Sequence, residues 1–278
     1  MNQFLKPILL TFLVTASAFA QDFQGKAVYQ SKTQIELNLD SSQMSPEQKE
    51  RIKKRMKDMT EKEFVLSFTK AESLYKEEEK LEQPGQSGGR MRFGGFGAGK
   101  TYKNTKDQVF LQEQNLMGKE FLVTDSLENY VWEFQDESKV IGQHLAFKAI
   151  AKKMVPNTPS FRFGRRGGNS QNSENDEPKD SLKEIEIVAW YTPEIPVSHG
   201  PGEYWGLPGL ILEVNADNTT ILCTKIVINP KEKAEIKAPK KGSKVTREEF
   251  SEIRIEKMKE MREMYGGRRS QGQQRRGI

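Results

Sequence analysis

The residues best suited to covalent chemistry lie in one short stretch. Ser198 and His199 are adjacent, and Glu194 and Glu203 flank them, which supplies the residue types of a nucleophile, a base and an orienting carboxylate. Adjacent residues of an extended segment point to opposite sides, so Ser198 and His199 are poorly placed to share a proton. No G-x-S-x-G elbow surrounds the serine. We therefore predict no catalytic residue, and His199 is expected to steady the turn before Pro201.

A second candidate chemistry is metal binding by thioethers. Met258, Met261 and Met264 recur every three residues and could offer sulfur ligands to Cu(I), a soft ion. Phe250 and Ile253 continue the same helical face, however, and such a face is typical of core packing. We predict core packing for the methionines, with no metal and no cofactor.

The remaining reactive side chains are few. The chain of 278 residues has two histidines and one cysteine, Cys223. A single cysteine excludes an internal disulfide and a multi-cysteine zinc site, so we expect Cys223 to be a small buried residue. His144 has no obvious partner nearby and is interpreted as an ordinary strand residue.

The net charge is +5, and part of the basic excess lies in segments that mix arginine, phenylalanine and glycine, at 85–100 and 161–166. Such mixtures are found in proteins that bind single-stranded nucleic acid. The chain begins, however, with a short apolar run that ends in Ala18-Phe19-Ala20, the pattern of a signal peptide spanning 1–20. We therefore expect export to the periplasm or surface of a Gram-negative bacterium. Nucleic acid is then not an expected partner, whereas peripheral contact with a membrane surface is compatible with the charge.

The elements that must position these side chains are mostly strands. Alternation of apolar and polar residues predicts about ten strands, among them Val140 to Lys152 and Ile185 to Tyr191. Capping boxes at Ser45 and Thr246 predict two helices, the second ending near Tyr265. The strands do not alternate regularly with helices, so we predict a curved, largely antiparallel sheet or half-barrel with one or two packed helices, of the mainly β (α+β) class.

Two insertions interrupt this domain, and a tail follows it. We predict a single β-rich domain over 21–265, with flexible insertions near 84–100 and 156–181, where glycine and charge replace apolar residues. Residues 266–278 are predicted to form a disordered basic tail. The oligomeric state does not follow from the sequence.

One motif stands out, Gly206-Leu207-Pro208-Gly209-Leu210-Ile211. Leu207 to Leu210 fits a type II turn, in which Pro208 fixes φ and Gly209 accepts a positive φ. The apolar residues that follow then enter a buried strand. This structural explanation of the motif is complete.

The motif also resembles the signature of the GLPGLI family of exported proteins in Bacteroidetes-type bacteria. The segments Ala189 to Pro196 and Gly200 to Tyr204 agree with that resemblance, and weaker landmarks extend it over most of the chain. Members often have a cysteine between the positions that correspond to Gly142 and Lys148-Ala149, and this chain has none there. The resemblance implies a protein without an established activity, often encoded beside TonB-dependent receptors, with a sheet similar to periplasmic lipoprotein carriers.

Two classes of function follow. The first is a non-enzymatic exported protein that binds a hydrophobic ligand in the concave face of the sheet, or an envelope partner such as a TonB-dependent transporter. The second is a hydrolase, or a peptidase accessory to such a transporter, that uses the loop 194–204. The residues that we predict to contribute to binding are mostly aromatic and lie in or beside that loop: Trp190, Tyr191, His199, Tyr204 and Trp205.

Overall fold

A computed structural model describes residues 23–34, 45–78, 96–156 and 182–273. They form one sheet of twelve strands in the order β12-β6-β5-β4-β3-β2-β1-β11-β10-β9-β8-β7. Every neighbouring pair is antiparallel except β12 with β6. The sheet is open, since β12 and β7 form its two edges, and the prediction of a mostly antiparallel β fold is confirmed.

The strands and helices have the following bounds. The strands are β1 (Gly25–Thr33), β2 (Glu61–Phe68), β3 (Glu72–Glu77), β4 (Phe96–Asn104), β5 (Val109–Leu116), β6 (Lys119–Ser126), β7 (Glu133–Ile141), β8 (His144–Pro156), β9 (Leu182–Thr192), β10 (Leu210–Ala216), β11 (Thr219–Ile228) and β12 (Ser243–Val245). The helices are α1 (Pro46–Thr60) and α2 (Arg247–Gln273).

Both predicted helix starts are present. The Ser45 hydroxyl accepts the Gln48 backbone N–H at 3.3 Å, and the Gln48 side chain accepts the Ser45 backbone N–H at 3.1 Å. Thr246 and Glu249 make the same reciprocal pair at the start of α2, with distances of 3.1 and 2.8 Å. Each box satisfies backbone donors that a helix start otherwise leaves open.

The sheet curls strongly. Glu128, just after β6, and Lys153 of β8 form an ion pair of 2.7 Å. The two strands are second and eleventh in the sheet order, so in a flat sheet they would lie about 43 Å apart. Only a sheet bent almost into a barrel brings them together. We call the enclosed side the inner face; it carries Tyr29, Lys103 and Ala149.

Large apolar side chains of the inner face make the core. One cluster lies on the central strands and includes Tyr29, Leu66, Phe68 and Leu210. A second lies on β8 to β10 and includes Ile187, Ala189, Leu207 and Ile211. A third joins Phe110, Val123 and Leu127 to the first turn of α2 through Phe250. The core therefore follows the curl of the sheet.

Several predicted boundaries were wrong. The single strand predicted from Val140 to Lys152 is two strands, because Gly142, with φ of +63°, and Gln143 form a two-residue hairpin turn. Residues 96–100, which were assigned to a flexible insertion, belong to β4. The rest of that insertion, and residues 157–181 of the second, lie outside the described residues, as does the predicted signal peptide.

Helix α2 also differs from its prediction. It continues to Gln273, past the end expected near Tyr265 and into the segment assigned to a basic tail, whose residues 274–278 lie outside the described part. Met258 is 37% exposed and Met264 is 64% exposed, so the prediction of core packing for these methionines was wrong. Within the described ranges, no helix is both long and apolar enough to span a membrane.

Candidate functional site

The centre of the inner face is filled by the chain itself. Residues 193–209, which connect β9 to β10, fold onto this face, and we call them the inner segment. Its own backbone bonds hold it in shape: the N–H groups of Val197 and Leu210 both donate to the Ile195 carbonyl, at 2.8 and 2.9 Å. The Ile211 N–H donates to the His199 carbonyl at 3.0 Å. Ile195, Val197 and Leu207 are at most 4% exposed.

The two glycines of the motif serve different purposes, and the predicted type II turn was wrong. Gly209 does not have a positive φ, whereas Gly206 has φ of +95°. A Cβ atom on Gly209 would lie 2.1 Å from the Thr192 carbonyl oxygen. Gly209 is therefore needed because the inner segment leaves and re-enters the sheet with its two backbone ends in contact.

A buried lysine holds the inner segment to the opposite side of the sheet. Lys103 of β4 is fully buried, and its ammonium donates to the carbonyls of Gly200 at 2.8 Å and Tyr204 at 2.6 Å. Burial lowers the pKa of Lys103 to about 7, and the nearby Glu203 carboxylate acts in the opposite direction. A lysine this deep pairs with carbonyl dipoles instead of a contacting carboxylate.

A network of charged side chains surrounds the outer part of the inner segment. Lys153 contacts Glu128 at 2.7 Å and Glu203 at 3.0 Å. Arg247 contacts Glu128 at 2.8 Å and Glu203 at 3.7 Å, and its guanidinium stacks over the Phe110 ring at 4.1 Å. These partly buried groups tie β8, α2 and the start of the β6–β7 connection to the inner segment.

His199 lies in the apolar part of this arrangement. It is fully buried beside the Phe68 ring, and neither ring nitrogen has a hydrogen-bond partner among the described residues. Burial lowers its pKa to about 3, and the charge of Lys103 lowers it further. The expected role of His199, which is to steady the turn before Pro201, stays a prediction. His199 contributes to the stability of the fold as a neutral ring packed beside Phe68.

This burial predicts an acid-sensitive fold. The pKa of His199 is below its unfolded value of 6.5, so the unfolded state binds the proton more tightly and stability falls as pH drops from 6.5 toward 3. We expect His199 to account for a loss of about 2 kcal/mol between pH 6.5 and 5. Chemical denaturation at several pH values should show that His199→Leu removes this part of the pH dependence.

His144→Leu is the matched control, since it removes the other histidine of the chain. His144 contacts Glu194 on the surface, so the part of the pH dependence that comes from burial of His199 should remain in this variant. An unchanged slope in His199→Leu would contradict the neutral, buried assignment.

The predicted hydrolytic residues do not converge. Glu194 is on the surface, where it bonds His144 Nδ1 at 2.6 Å and the Leu145 N–H at 3.1 Å, and these bonds lower the pKa of its carboxyl. The Ser198 hydroxyl donates to the Leu207 carbonyl at 3.1 Å. Among the described residues no carboxylate contacts His199, so Ser198, His199 and Glu194 do not form a nucleophile, base and orienting carboxylate in contact.

The predicted binding residues are engaged within the fold. The Trp205 indole N–H donates to the Glu128 carbonyl at 2.7 Å, and Tyr204 packs beside Tyr130 with ring centres 5.9 Å apart. Trp190 is covered by Lys139, whose ammonium lies 4.2 Å from its ring. Tyr191 is 9% exposed and packs against phenylalanines. Their role in binding stays a prediction.

The described residues were also compared with the requirements of metal binding and thiol chemistry. Among the described residues, no group of three or more His, Cys, Asp or Glu side chains could hold a metal ion. Cys223 is buried, as predicted, and burial raises the pKa of its thiol to about 12.

The sequence prediction missed Lys103, the residue of β4 whose ammonium binds two carbonyls of the inner segment. The stretch Thr101-Tyr102-Lys103-Asn104 resembles a polar strand end, and its partner carbonyls come about 100 positions later. The available signal was alternation, since Lys103 shares a face with Thr101, which is also buried.

The comparisons with known proteins give a limited result. Residues 132–213, which include the motif and the inner segment, match the model of a family described as "Protein of unknown function (Porph_ging)". No curated protein matches the chain. Two solved structures of PNGF-II, in space groups C2 and P21, are 13% and 12% identical, with TM-scores of 0.46 and 0.44.

These structural matches cover 84% and 83% of this chain, but only 33% and 32% of the PNGF-II chains. The chain thus spans about a third of the length of the solved structures that it matches.

Proposed function

We propose that this chain is a non-enzymatic, exported member of the GLPGLI family that binds a protein partner in the cell envelope, such as a TonB-dependent transporter. The motif Gly206 to Ile211 and the matched family region that contains it support the family assignment. The apolar start of the chain, which ends in Ala18-Phe19-Ala20, supports export. We place the protein in the periplasm or at the cell surface.

One observation carries the proposal: the inner segment occupies the concave face where a carrier would hold its ligand. A hydrophobic ligand needs a cavity of several hundred cubic ångströms lined by free apolar side chains. Here Leu207 and Ile211 of the second core cluster are fully buried against β8 and β9. The same volume cannot hold a second apolar group unless the segment leaves, which favours a partner that binds outside.

The alternative, a hydrolase or peptidase accessory, has weaker support. It would need Ser198 or another nucleophile to reach a base, and the described partner of the serine hydroxyl is a backbone carbonyl. Hydrolysis of an ester or peptide panel that is lost in His199→Leu, with the fold intact, would favour this alternative.

Photo-crosslinking in the native envelope tests the proposal. Phe134 is 62% exposed near one edge of the sheet, and p-benzoylphenylalanine in its place would contact a bound protein. We expect a discrete crosslinked species with this position and none with the same group at Lys106, an exposed turn residue between β4 and β5. Native mass spectrometry of the purified protein should give the mass of the polypeptide without lipid.

Two results would contradict the proposal. One is a stoichiometric lipid that accompanies the purified protein and leaves only on unfolding. The other is crosslinking that is equal at Phe134 and Lys106, since random collisions would produce it.

A further inference from the structure

The two edge strands of the sheet differ in length. Strand β12 has three residues, Ser243–Val245, and helix α2 follows it directly. Strand β7 has nine residues, Glu133–Ile141, and among the described strands it pairs on one side only, with β8. The register of this pair shifts between Phe134 and Ser138, so the regular part of the edge is 138–141. A long edge strand presents unpaired N–H and C=O groups that can accept another strand. The edge at β7 is therefore the place where the described sheet can grow.

The backbone groups that face the open side follow from the hairpin. The two-residue turn at Gly142 and Gln143 makes Ile141 and His144 the closing hydrogen-bonded pair. Orientation alternates along a strand, so Lys139 also bonds to β8, whereas Ser138 and Val140 direct their N–H and C=O groups outward. These two residues offer up to four hydrogen bonds to an added strand.

An exposed apolar patch adjoins this edge. The register places Val140 opposite Leu145 and Phe134 opposite Ala149, so all of them share the inner face. Val140 is 69% exposed, Phe134 62% and Leu145 43%. We call Phe134, Val140 and Leu145 the edge patch. The patch continues into the core through Phe134, whose ring packs against Tyr191 at 6.2 Å.

The charge of the edge indicates what kind of strand it accepts. Strand β7 carries Glu133, Asp136 and Glu137 against one basic residue, Lys139, although the whole chain has a net charge of +5. Lys139 is already paired with Glu213 at 2.7 Å, and Glu137 is paired with Lys148 of β8 at 2.7 Å, so Glu133 and Asp136 carry the acidic excess. Glu133 and Asp136 have no ion pair among the described residues. A second copy of this edge would bring carboxylates together, which disfavours self-pairing, whereas a basic strand would neutralise them.

From this geometry we propose that β7 is a docking site for an extended basic segment of a partner protein, which adds to the sheet beside Ser138 and Val140 and lays alternate apolar side chains on the edge patch. Main-chain hydrogen bonds supply the affinity in this mode, and side-chain contacts supply the choice of sequence. The inference rests on the proposed function, because it names the surface and the chemistry of the partner.

A peptide titration tests the proposal. The probe is a fluorescein-labelled nine-residue peptide that alternates lysine and valine, and its counterpart has glutamate in place of lysine. We expect the basic peptide to bind the full-length protein with an affinity at least tenfold higher than the acidic one, by fluorescence anisotropy. The affinity should fall as salt is added, because exposed charges are screened.

Ser138→Pro is the decisive variant. Proline removes the outward N–H of an edge strand without removing a bond to β8, and edge strands tolerate it. We expect a loss of at least tenfold in affinity for the basic peptide, while Ser138→Ala, which keeps the N–H, binds as the unmodified protein does. Phe134→Lys removes an aromatic side chain of the edge patch and adds a positive charge. It is expected to weaken binding while all backbone N–H groups of β7 are kept, so it tests the side-chain contacts separately. Circular dichroism confirms that each variant is folded.

The outcomes separate this inference from the proposed function. Equal binding of the basic peptide by Ser138→Pro and Ser138→Ala, both folded, overturns strand addition. Crosslinking to an envelope protein at Phe134 together with no peptide preference would overturn only the basic-strand inference. Absence of that crosslink, with no binding of either peptide, would overturn both.

Discussion

Gly209→Ala is expected to destabilise the folded chain by about 4 kcal/mol or more, enough to leave much of the protein unfolded when it is expressed. The added methyl would lie 2.1 Å from the Thr192 carbonyl oxygen and 2.9 Å from the Pro193 Cα. Both neighbours are backbone atoms, so a change of rotamer cannot relieve the contact. The ends of the inner segment would have to separate, and the apolar residues that it buries would be exposed with them.

The control for this prediction is the adjacent Pro208→Ala. Pro208 is exposed, and its replacement should cost less than about 1 kcal/mol, through the greater freedom of the unfolded chain. Urea denaturation followed by tryptophan fluorescence measures both variants. Equal stabilities of Gly209→Ala and Pro208→Ala would contradict the close backbone contact.

Lys103→Ala is expected to destabilise the protein by about 3 kcal/mol at pH 7.5. It leaves the buried carbonyls of Gly200 and Tyr204 without their donor and opens a cavity, and these losses outweigh relief from burying the amine. Lys100→Ala, an exposed change on the same strand, should lie within about 0.5 kcal/mol of the unmodified protein. An equal loss of stability in both variants would show that any change in β4 has this effect, and that the hydrogen bonds of Lys103 to Gly200 and Tyr204 are not responsible.

The pH dependence gives an independent check on Lys103. Its pKa is near 7 in the folded state and 10.5 in the unfolded state, so the unfolded state binds more protons between these values. The free energy of unfolding therefore rises as pH increases from 7 to 10.5, because the cost of burying the charged ammonium is removed, and below that range Lys103 adds no pH dependence. Denaturation curves of Lys103→Ala over this range should lack this rise, whereas those of Lys100→Ala should retain it.

The sheet was predictable from sequence because local signals agreed with the global fold. Both capping boxes, at Ser45 and Thr246, use contacts within three residues, and the structure contains them. The residues between β10 and β11 include Asp217 and Asn218, types that favour a tight turn, and Asp217, with φ of +50°, turns the chain there. The long strand predicted from Val140 was wrong because Gly142, with a positive φ, and Gln143 turn the chain between β7 and β8.

The site was less predictable because its determinants are not local. Gly206 and Gly209 look alike in a sequence, but one supplies a positive φ and the other space against Thr192. Lys103 gained its role from carbonyls that fold onto it from the far side of the sheet. Met264 lies on the apolar side of an amphipathic helix but is 64% exposed. An amphipathic pattern does not by itself show that another element packs against the apolar side.

The central claim is that the inner segment is a permanent part of the core, so that recognition takes place at the edge of the sheet and not in its enclosed centre. Amide hydrogen exchange of the native protein tests it most directly. The account predicts that the N–H groups of Val197, Leu210 and Ile211 exchange as slowly as those of Ala27 and Tyr29 in β1, because all open only when the core unfolds. Exchange of the three within seconds, while β1 stays protected, would identify the inner segment as a lid and contradict the account.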